Sequence, residues 1–330
     1  MMLVALRLVG VLTALLPWRS LGIPGNAIGW ICASVLRIRR RAVETAMRRA
    51  AIAEPCTVAR AMYKNLGRSL FELFWLSGAG SQDRDRALDH VQIDEATAHA
   101  LLHAAKRGPV ILAASHTGNW ELVAFAAARM LGRAGRSLVV VAKPLSVHAL
   151  NVFCMRLRES FGLRILAPDG ALAAARHALL AGEVVAMPID QVPDRARHGC
   201  EVSFLGARAL ADRAPAMLAQ ATGATLVVVG AERHGAEQRV RILAEIGACT
   251  VHGSRRTDRA IQATKQASFA LERFCMASPA SWLWLHRRWR QASDRRANES
   301  DYGKLSRRAA DWWPHIFEPP HRRHRQVQER

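Results

Sequence analysis

Four short apolar runs, at 109–114, 138–142, 184–189 and 225–230, recur through the middle of the chain. Runs of five or six apolar residues between turn formers read as buried strands, and the intervening patterns at about 119–131, 147–161, 169–181 and 208–222 have helical spacing. Arg239 to Ile246 alternates charged and apolar residues, as a half-exposed strand does. This alternation predicts an α/β core, a central mixed sheet flanked by helices. Upstream, Val58, Met62, Leu66, Leu70 and Leu73 mark one long helix over about 57–76, ended by Ser77-Gly-Ala-Gly-Ser81.

The amino terminus has a different pattern. Leu8 to Leu16 is apolar, Pro17-Trp-Arg-Ser20 and Gly22-Ile-Pro-Gly-Asn26 interrupt, and Ala27 to Leu36 is apolar again. Neither run reaches the roughly 20 residues of a bilayer-spanning helix, and Arg7 interrupts the first, so an interfacial or re-entrant membrane-associating segment is expected. Arg37-Ile-Arg-Arg-Arg41 and Arg48-Arg49 follow at once, which suits anionic headgroups on the cytoplasmic face of an inner membrane. Trp18 and Trp30 fit either headgroup level or a helical core. A secretory signal is not expected, since a basic leader and a small-residue cleavage site are missing.

The expected organisation is an anchor with a basic juxtamembrane helix at 1–50, a catalytic domain at 51–290 and a basic tail at 291–330. Within the tail, Leu305 to Trp313 suits a short helix and His321 to Arg330 suits disorder. With 330 residues and 50% hydrophobic content the chain can bury one large core. Cysteines 32, 56, 154, 200, 249 and 275 are dispersed without zinc-site spacing, as free thiols in a reducing compartment are. The net charge of +20 rests on 47 basic residues, of which only five are lysines. It favours anionic partners: a phospholipid surface, a phosphorylated lipid or nucleic acid.

The candidate chemistry lies behind the first strand, in His116-Thr-Gly-Asn-Trp-Glu121. A helix is expected from Gly118 or Asn119 to about Leu131, capped by Ser115 or Thr117 and stopped by Gly132. Residues five apart on one helix point roughly 140° apart, so His116 and Glu121 meet only if the histidine is in the turn and the glutamate in the first helical turn. Glu121 then holds one imidazole nitrogen protonated and leaves the other as a general base toward an alcohol or amine, which points to acyl transfer. The same spacing recurs at His90 and Glu95 in a polar segment, and His90 is read as surface. G-x-S-x-G, Walker, H-E-x-x-H and G-x-G-x-x-G signatures are missing, so hydrolase, nucleotide-driven and metalloprotease readings lose support. Asp190 and Asp194 are weighed as metal ligands, but a strand-end carboxylate that organises a loop is preferred, and no metal or cofactor is expected.

Ser115-His-Thr-Gly-Asn-Trp-Glu121 resembles the Ser-His-(apolar)-Gly-Asn-Trp-Glu block of the late acyltransferases of lipid A biosynthesis, with polar Thr117 as the departure. Lys143-Pro144 with Arg156-Leu-Arg158-Glu-Ser-Phe-Gly162, Gly182 to Gln191, Val202-Ser-Phe204-Leu-Gly206 and Pro279 to Arg290 are similar to that family's later blocks, and Tyr63 to Glu72 to an earlier one. Ala142-Lys143 and Ala280 stand where the family usually has an aromatic with arginine and a glutamate.

The resemblance implies a fold like that of the glycerolipid acyltransferases, no cofactor, and His116/Glu121 as a catalytic dyad. His116 would take the proton from a hydroxyl of a lipid A precursor, whose oxygen attacks the thioester of an acyl carrier protein or coenzyme A. It also implies that Arg158 and Lys143 bind a phosphate or polarise the carbonyl, and that Phe204 and Gly206 line the acyl or acceptor channel. Asn119, with Trp120, shapes the turn, and Asn119 and Asp190 join the substrate-binding set. Another glycolipid acceptor, such as a mannosylated phosphoinositide, remains an alternative. From another class, a basic membrane- or nucleic-acid-binding protein without catalysis is weighed, since Trp282-Leu-Trp284-Leu-His286-Arg-Arg288-Trp289 interleaves aromatics with cations as single-strand nucleic-acid surfaces do. No recognition motif accompanies it, tryptophans 282, 284 and 289 suit a docking face for the core, and no nucleic-acid partner is expected.

Overall fold

The computed structural model describes residues 1–289 apart from Asp169, Asp194, 248–249 and 251–252, so the expectations for Asp194, Cys249 and the tail lie outside the described residues. The chain runs α1 (Met2–Ala14), α2 (Gly22–Trp30), α3 (Arg40–Arg49), α4 (Pro55–Gly78) and α5 (Ser81–Ala87), then β1 (Val91–Ile93), α6 (Glu95–Arg107), β2 (Val110–Ala114), α7 (Trp120–Arg133) and β3 (Leu138–Val141). It continues with α8 (His148–Ser160), β4 (Arg164–Leu166), α9 (Ala171–Leu180), β5 (Val184–Pro188), β6 (Gly199–Phe204) and β7 (Ala207–Asp212). Last come α10 (Ala214–Thr222), β8 (Thr225–His234), β9 (Glu237–Ile246) and α11 (Arg256–Ala277).

Seven strands form one mixed sheet in the order β1-β9-β8-β2-β5-β3-β4. From β8 to β4 neighbours are parallel, and β9 turns back antiparallel against β8. The continuous apolar runs of β2 and β5 follow from burial on both faces. Ile111 and Ala113 point into the core beneath α9, α10 and α11, whereas Val110 and Leu112 join the opposite core with Leu122 and Phe125 of α7.

The expected strands at 109–114, 138–142, 184–189, 225–230 and 239–246 are β2, β3, β5, β8 and β9, with β8 running on to His234. The expected helix at 208–222 begins only at Ala214, because Ala207–Asp212 pairs with Gly199–Phe204 as a two-stranded hairpin. Its Ala-Arg-Ala-Leu-Ala content favours a helix, but propensity is a weak prior, and pairing buries Ala209 and Ala211 beside Cys200, Val202 and Phe204. β1 and β4, three residues each, are too short to show a period.

At the amino terminus Gly22 to Asn26 does not interrupt; it opens α2, with Pro24 in the first turn, where a missing N–H costs little. The break expected at Pro17 does fall there, at Leu15–Pro17, and the second comes later, in the turn after Val35, where Arg37 and Arg39 take left-handed backbone. No single helix among the described residues is long and apolar enough to cross a membrane; Trp18–Val35 and Arg40–Arg49 form a pair bent by 88°. Helices α1 and α2 pack along α4. At Gly29 an added Cβ would lie 2.7 Å from Lys64 Cα, so backbone meets backbone there. Trp18 belongs to the core, edge-on to Trp75 and stacked on His90 at 5.2 Å, so His90 is half-buried rather than simply exposed; Trp30 is exposed.

Candidate active site

Strands β2 and β5 are parallel and in register, with Ala114 opposite Pro188. His116 and Asp190 each lie two residues beyond that pair, so the sheet sets them side by side at its C-terminal edge. The Asp190 carboxylate accepts from His116 Nδ1 at 2.9 Å through Oδ1 and from the His116 backbone N–H at 2.8 Å through Oδ2. Trp282 Nε1 donates to the same Oδ2 at 3.0 Å. An ionised carboxylate only accepts, so Nδ1 carries the imidazole proton and Nε2 keeps its lone pair.

Residues 281–283 pair back onto the His116 turn. Gly118 N–H donates to Ser281 O at 2.8 Å and Leu283 N–H to His116 O at 3.0 Å. Gly118 has φ +58°, and a Cβ there would stand 2.5 Å from Gln238 Oε1, so the turn needs glycine. Thr117, the polar departure from the family block, is buried and accepts the Ala231 N–H at 3.0 Å, which ties the turn to β8.

Burial alone would lower the His116 imidazole, but the charge and hydrogen bond of Asp190 outweigh it, and its pKa stands above the ordinary value. Asp190 is fully buried, which by itself raises a carboxyl; the His116 charge and hydrogen bonds reverse that and hold it well below the usual carboxylate range. His286 lies edge-on to His116 with 4.5 Å between ring centroids, and burial pushes it down to about 4, so it stays neutral. Its Nε2 is 3.9 Å from Asp190 Oδ2 and has no hydrogen-bond partner. His116, Asp190 and His286 bring possible metal-ligand atoms within 4.8 Å of one another. His116 and Asp190 are already joined by hydrogen bonds, and both Asp190 oxygens have donors, so a cation there would compete with the His116 bond.

Glu121, expected beside His116, is engaged by Arg158: Nε donates to Oε2 at 2.9 Å and Nη2 to Oε1. The reason is local: α7 starts at Trp120, and Glu121 in its first turn meets α8, while His116 Nδ1 faces β5. Asp190, expected among the substrate-binding residues, is thus the carboxylate on His116. Asn119 rather than Ser115 or Thr117 caps α7, accepting the Leu122 N–H at 3.2 Å. Its Nδ2 donates to Glu72 Oε2 at 2.8 Å.

Glu72 itself is fully buried and also takes Arg68 Nε at 3.0 Å and Arg233 Nη1 and Nη2 at 2.7 and 2.8 Å. This network, with His286 and Trp282, was missed in the sequence. A glutamate on the apolar face of the long helix pattern was its one visible signal. Lys143 is exposed in the loop before α8. Phe204 is fully buried between Trp282 and the Arg288 guanidinium, and Gly206 abuts the Arg49 carbonyl, so both pack the β6–β7 hairpin. Trp282 and Trp284 are buried too, which withdraws the stacking faces that a nucleic-acid surface requires.

Fold and site together describe an α/β protein whose carboxylate-held histidine stands at the C-terminal edge of its sheet, an arrangement suited to general-base chemistry. The chain belongs to the bacterial lipid A biosynthesis acyltransferase family, which matches it over residues 2–291, and it is accordingly an acyltransferase. No curated protein matches it.

Proposed function

We propose that the protein moves a fatty acyl chain from the thioester of an acyl carrier protein, or of coenzyme A, to a hydroxyl of a lipid A precursor. The observation that carries this reading is the His116–Asp190 pair, which leaves Nε2 of His116 as the base. Nε2 takes the acceptor's hydroxyl proton as the oxygen attacks the thioester carbonyl, and the imidazolium then returns it to the departing thiolate. Asp190 fixes the tautomer and stabilises the charged imidazolium. Glu121, with Arg158, forms the second wall: the guanidinium spends Nε and Nη2 on Glu121 and turns Nη1 to a phosphate or to the developing oxyanion. No acyl-enzyme is required.

Purified protein with acyl carrier thioester and a lipid A precursor is expected to give a product heavier by one acyl chain, by mass spectrometry. Since His116 acts unprotonated and its pKa lies above the ordinary 6.5, kcat/KM should rise with pH through an apparent pKa above that value and then level. In Asp190→Asn that inflection should fall. A pH-independent rate would remove His116 as the base, and turnover of the thioester without transfer would redirect the search to another glycolipid.

The membrane face in this reading is the N-terminal arm. Val4, Leu8, Val11 and Leu12 are exposed on α1, as are Leu15, Ile23, Trp30, Val35, Leu36 and Ile38 beyond it, with Arg19, Arg37 and Arg41 exposed along the same stretch. Such a surface suits the interface of an anionic bilayer, with the catalytic sheet on the cytoplasmic side. The double substitution Leu8→Glu, Leu12→Glu is expected to weaken binding to anionic vesicles by roughly tenfold or more in sedimentation. Unchanged binding would place the membrane face elsewhere.

A further inference from the structure

A cavity of about 270 Å³ lies between the N-terminal arm and the catalytic domain. Ile28, Gly29 and Cys32 form one wall, and Leu66, Leu70 and Leu73 of α4 the other. Its α4 wall, from Tyr63 to Leu73, runs about 15 Å at the helical rise. Trp120 and Glu121 of the catalytic turn complete the lining. The Trp120 ring also touches His116, with 5.0 Å between centroids, so the cavity reaches a side chain in contact with the base.

Polar groups on this lining are largely committed elsewhere. Asn119 binds Glu72 and caps α7, Ser69 donates to Asn65 O and accepts from Arg233, and Glu121 holds Arg158. A sugar or phosphate placed here would lose its water without finding replacement partners, whereas a hydrocarbon loses nothing. The transferred chain is bonded directly to the carbonyl carbon that the activated oxygen attacks, so it must start beside His116. The acceptor's own chains carry no such constraint.

Resting on the acyltransferase reading above, we propose that this cavity binds the acyl chain of the thioester donor and that the N-terminal arm, through Ile28, Gly29 and Cys32, sets which chain lengths it accepts. The arm is then half of the donor site and not only an anchor. Its approach to α4 is limited by backbone contact: a Cβ on Gly67 would stand 2.9 Å from Gly29 N, and one on Gly29 2.7 Å from Lys64 Cα. The two helices cannot come closer at these glycines, and the room between them is set by the side chains along the lining. An apolar pocket discriminates by single methylenes, at roughly 10- to 200-fold each.

The test offers full-length protein in detergent a mixture of saturated acyl carrier thioesters that differ by two carbons, and scores products by mass. Cys32→Phe is expected to move the preferred donor shorter and Leu66→Ala to move it longer, each changing the product ratio of neighbouring donors by roughly tenfold or more. Leu180→Phe, at an exposed position on α9, should keep the wild-type profile. Should Cys32→Phe fail to fold by circular dichroism, Leu66→Ala and the smaller change Cys32→Leu carry the test. Wild-type length profiles in both folded cavity variants would overturn the proposal. So would a change that follows the acceptor's chains and not the donor's. A wild type that turns over no thioester at all would instead overturn the acyltransferase reading on which it rests.

Discussion

His116→Ala is expected to lose about 10²-fold or more in turnover and still fold, since a positioned general base supplies 10²- to 10⁴-fold and the side chain is 20% exposed. Asp190→Asn should cost at least as much. In serine proteases, removing the aspartate that holds a catalytic histidine costs on the order of 10⁴-fold, because the imidazole loses its tautomer. Residues that act as a unit are not additive, so the double variant should be hardly worse than the worse single one. Glu121→Gln gives the decisive comparison. It loosens Arg158, and its effect should multiply with that of His116→Ala if the two act separately. If the cycle couples Glu121 to His116 and leaves Asp190 uncoupled, the carboxylate role returns to Glu121.

Glu72→Ala should destabilise the protein by about 3–5 kcal/mol, the usual cost of removing one partner from a buried ionic group. Glu72 has no exposed surface, and Arg233, whose side chain is 4% exposed, would be left as an unpaired cation. Arg68 Nη2 and Arg233 Nε already lack hydrogen-bond partners, so the cluster has little slack. The same change frees Asn119, whose cap starts α7 directly after the His116 turn, so activity should fall with stability. Denaturant unfolding followed by circular dichroism measures the first effect, and Glu72→Gln should fall between. A Glu72→Ala protein with the wild-type midpoint would mean that the two guanidiniums find water on relaxation, and the buried-network account would fail.

How much of this was legible along the chain depends on the range of the interaction involved. The strands β2, β3, β5 and β8 showed as apolar runs because burial on both faces demands nothing else. The strand-turn-helix around His116 showed because an apolar run before it and helical spacing behind it are local signals, whereas its cap did not: Asn119, not Ser115 or Thr117, accepts the Leu122 N–H. The β6–β7 hairpin did not show, because a helix-favouring stretch was overridden by a pairing partner. The partner of His116 did not show either. The spacing nominated the glutamate five residues on, while Asp190 is 74 residues away and adjacent only because β5 pairs with β2.

By itself, then, the sequence determined the α/β class, the histidine at a strand end and the family, since each is read from short local runs and blocks taken in their order along the chain. Tertiary structure alone decided which carboxylate holds the histidine, where Glu121 points, and that the amino-terminal helices share a cavity wall with the turn that carries His116. The physical reason is that strand order and helix docking are set by the burial of whole faces, a sum over distant residues that no local spacing encodes.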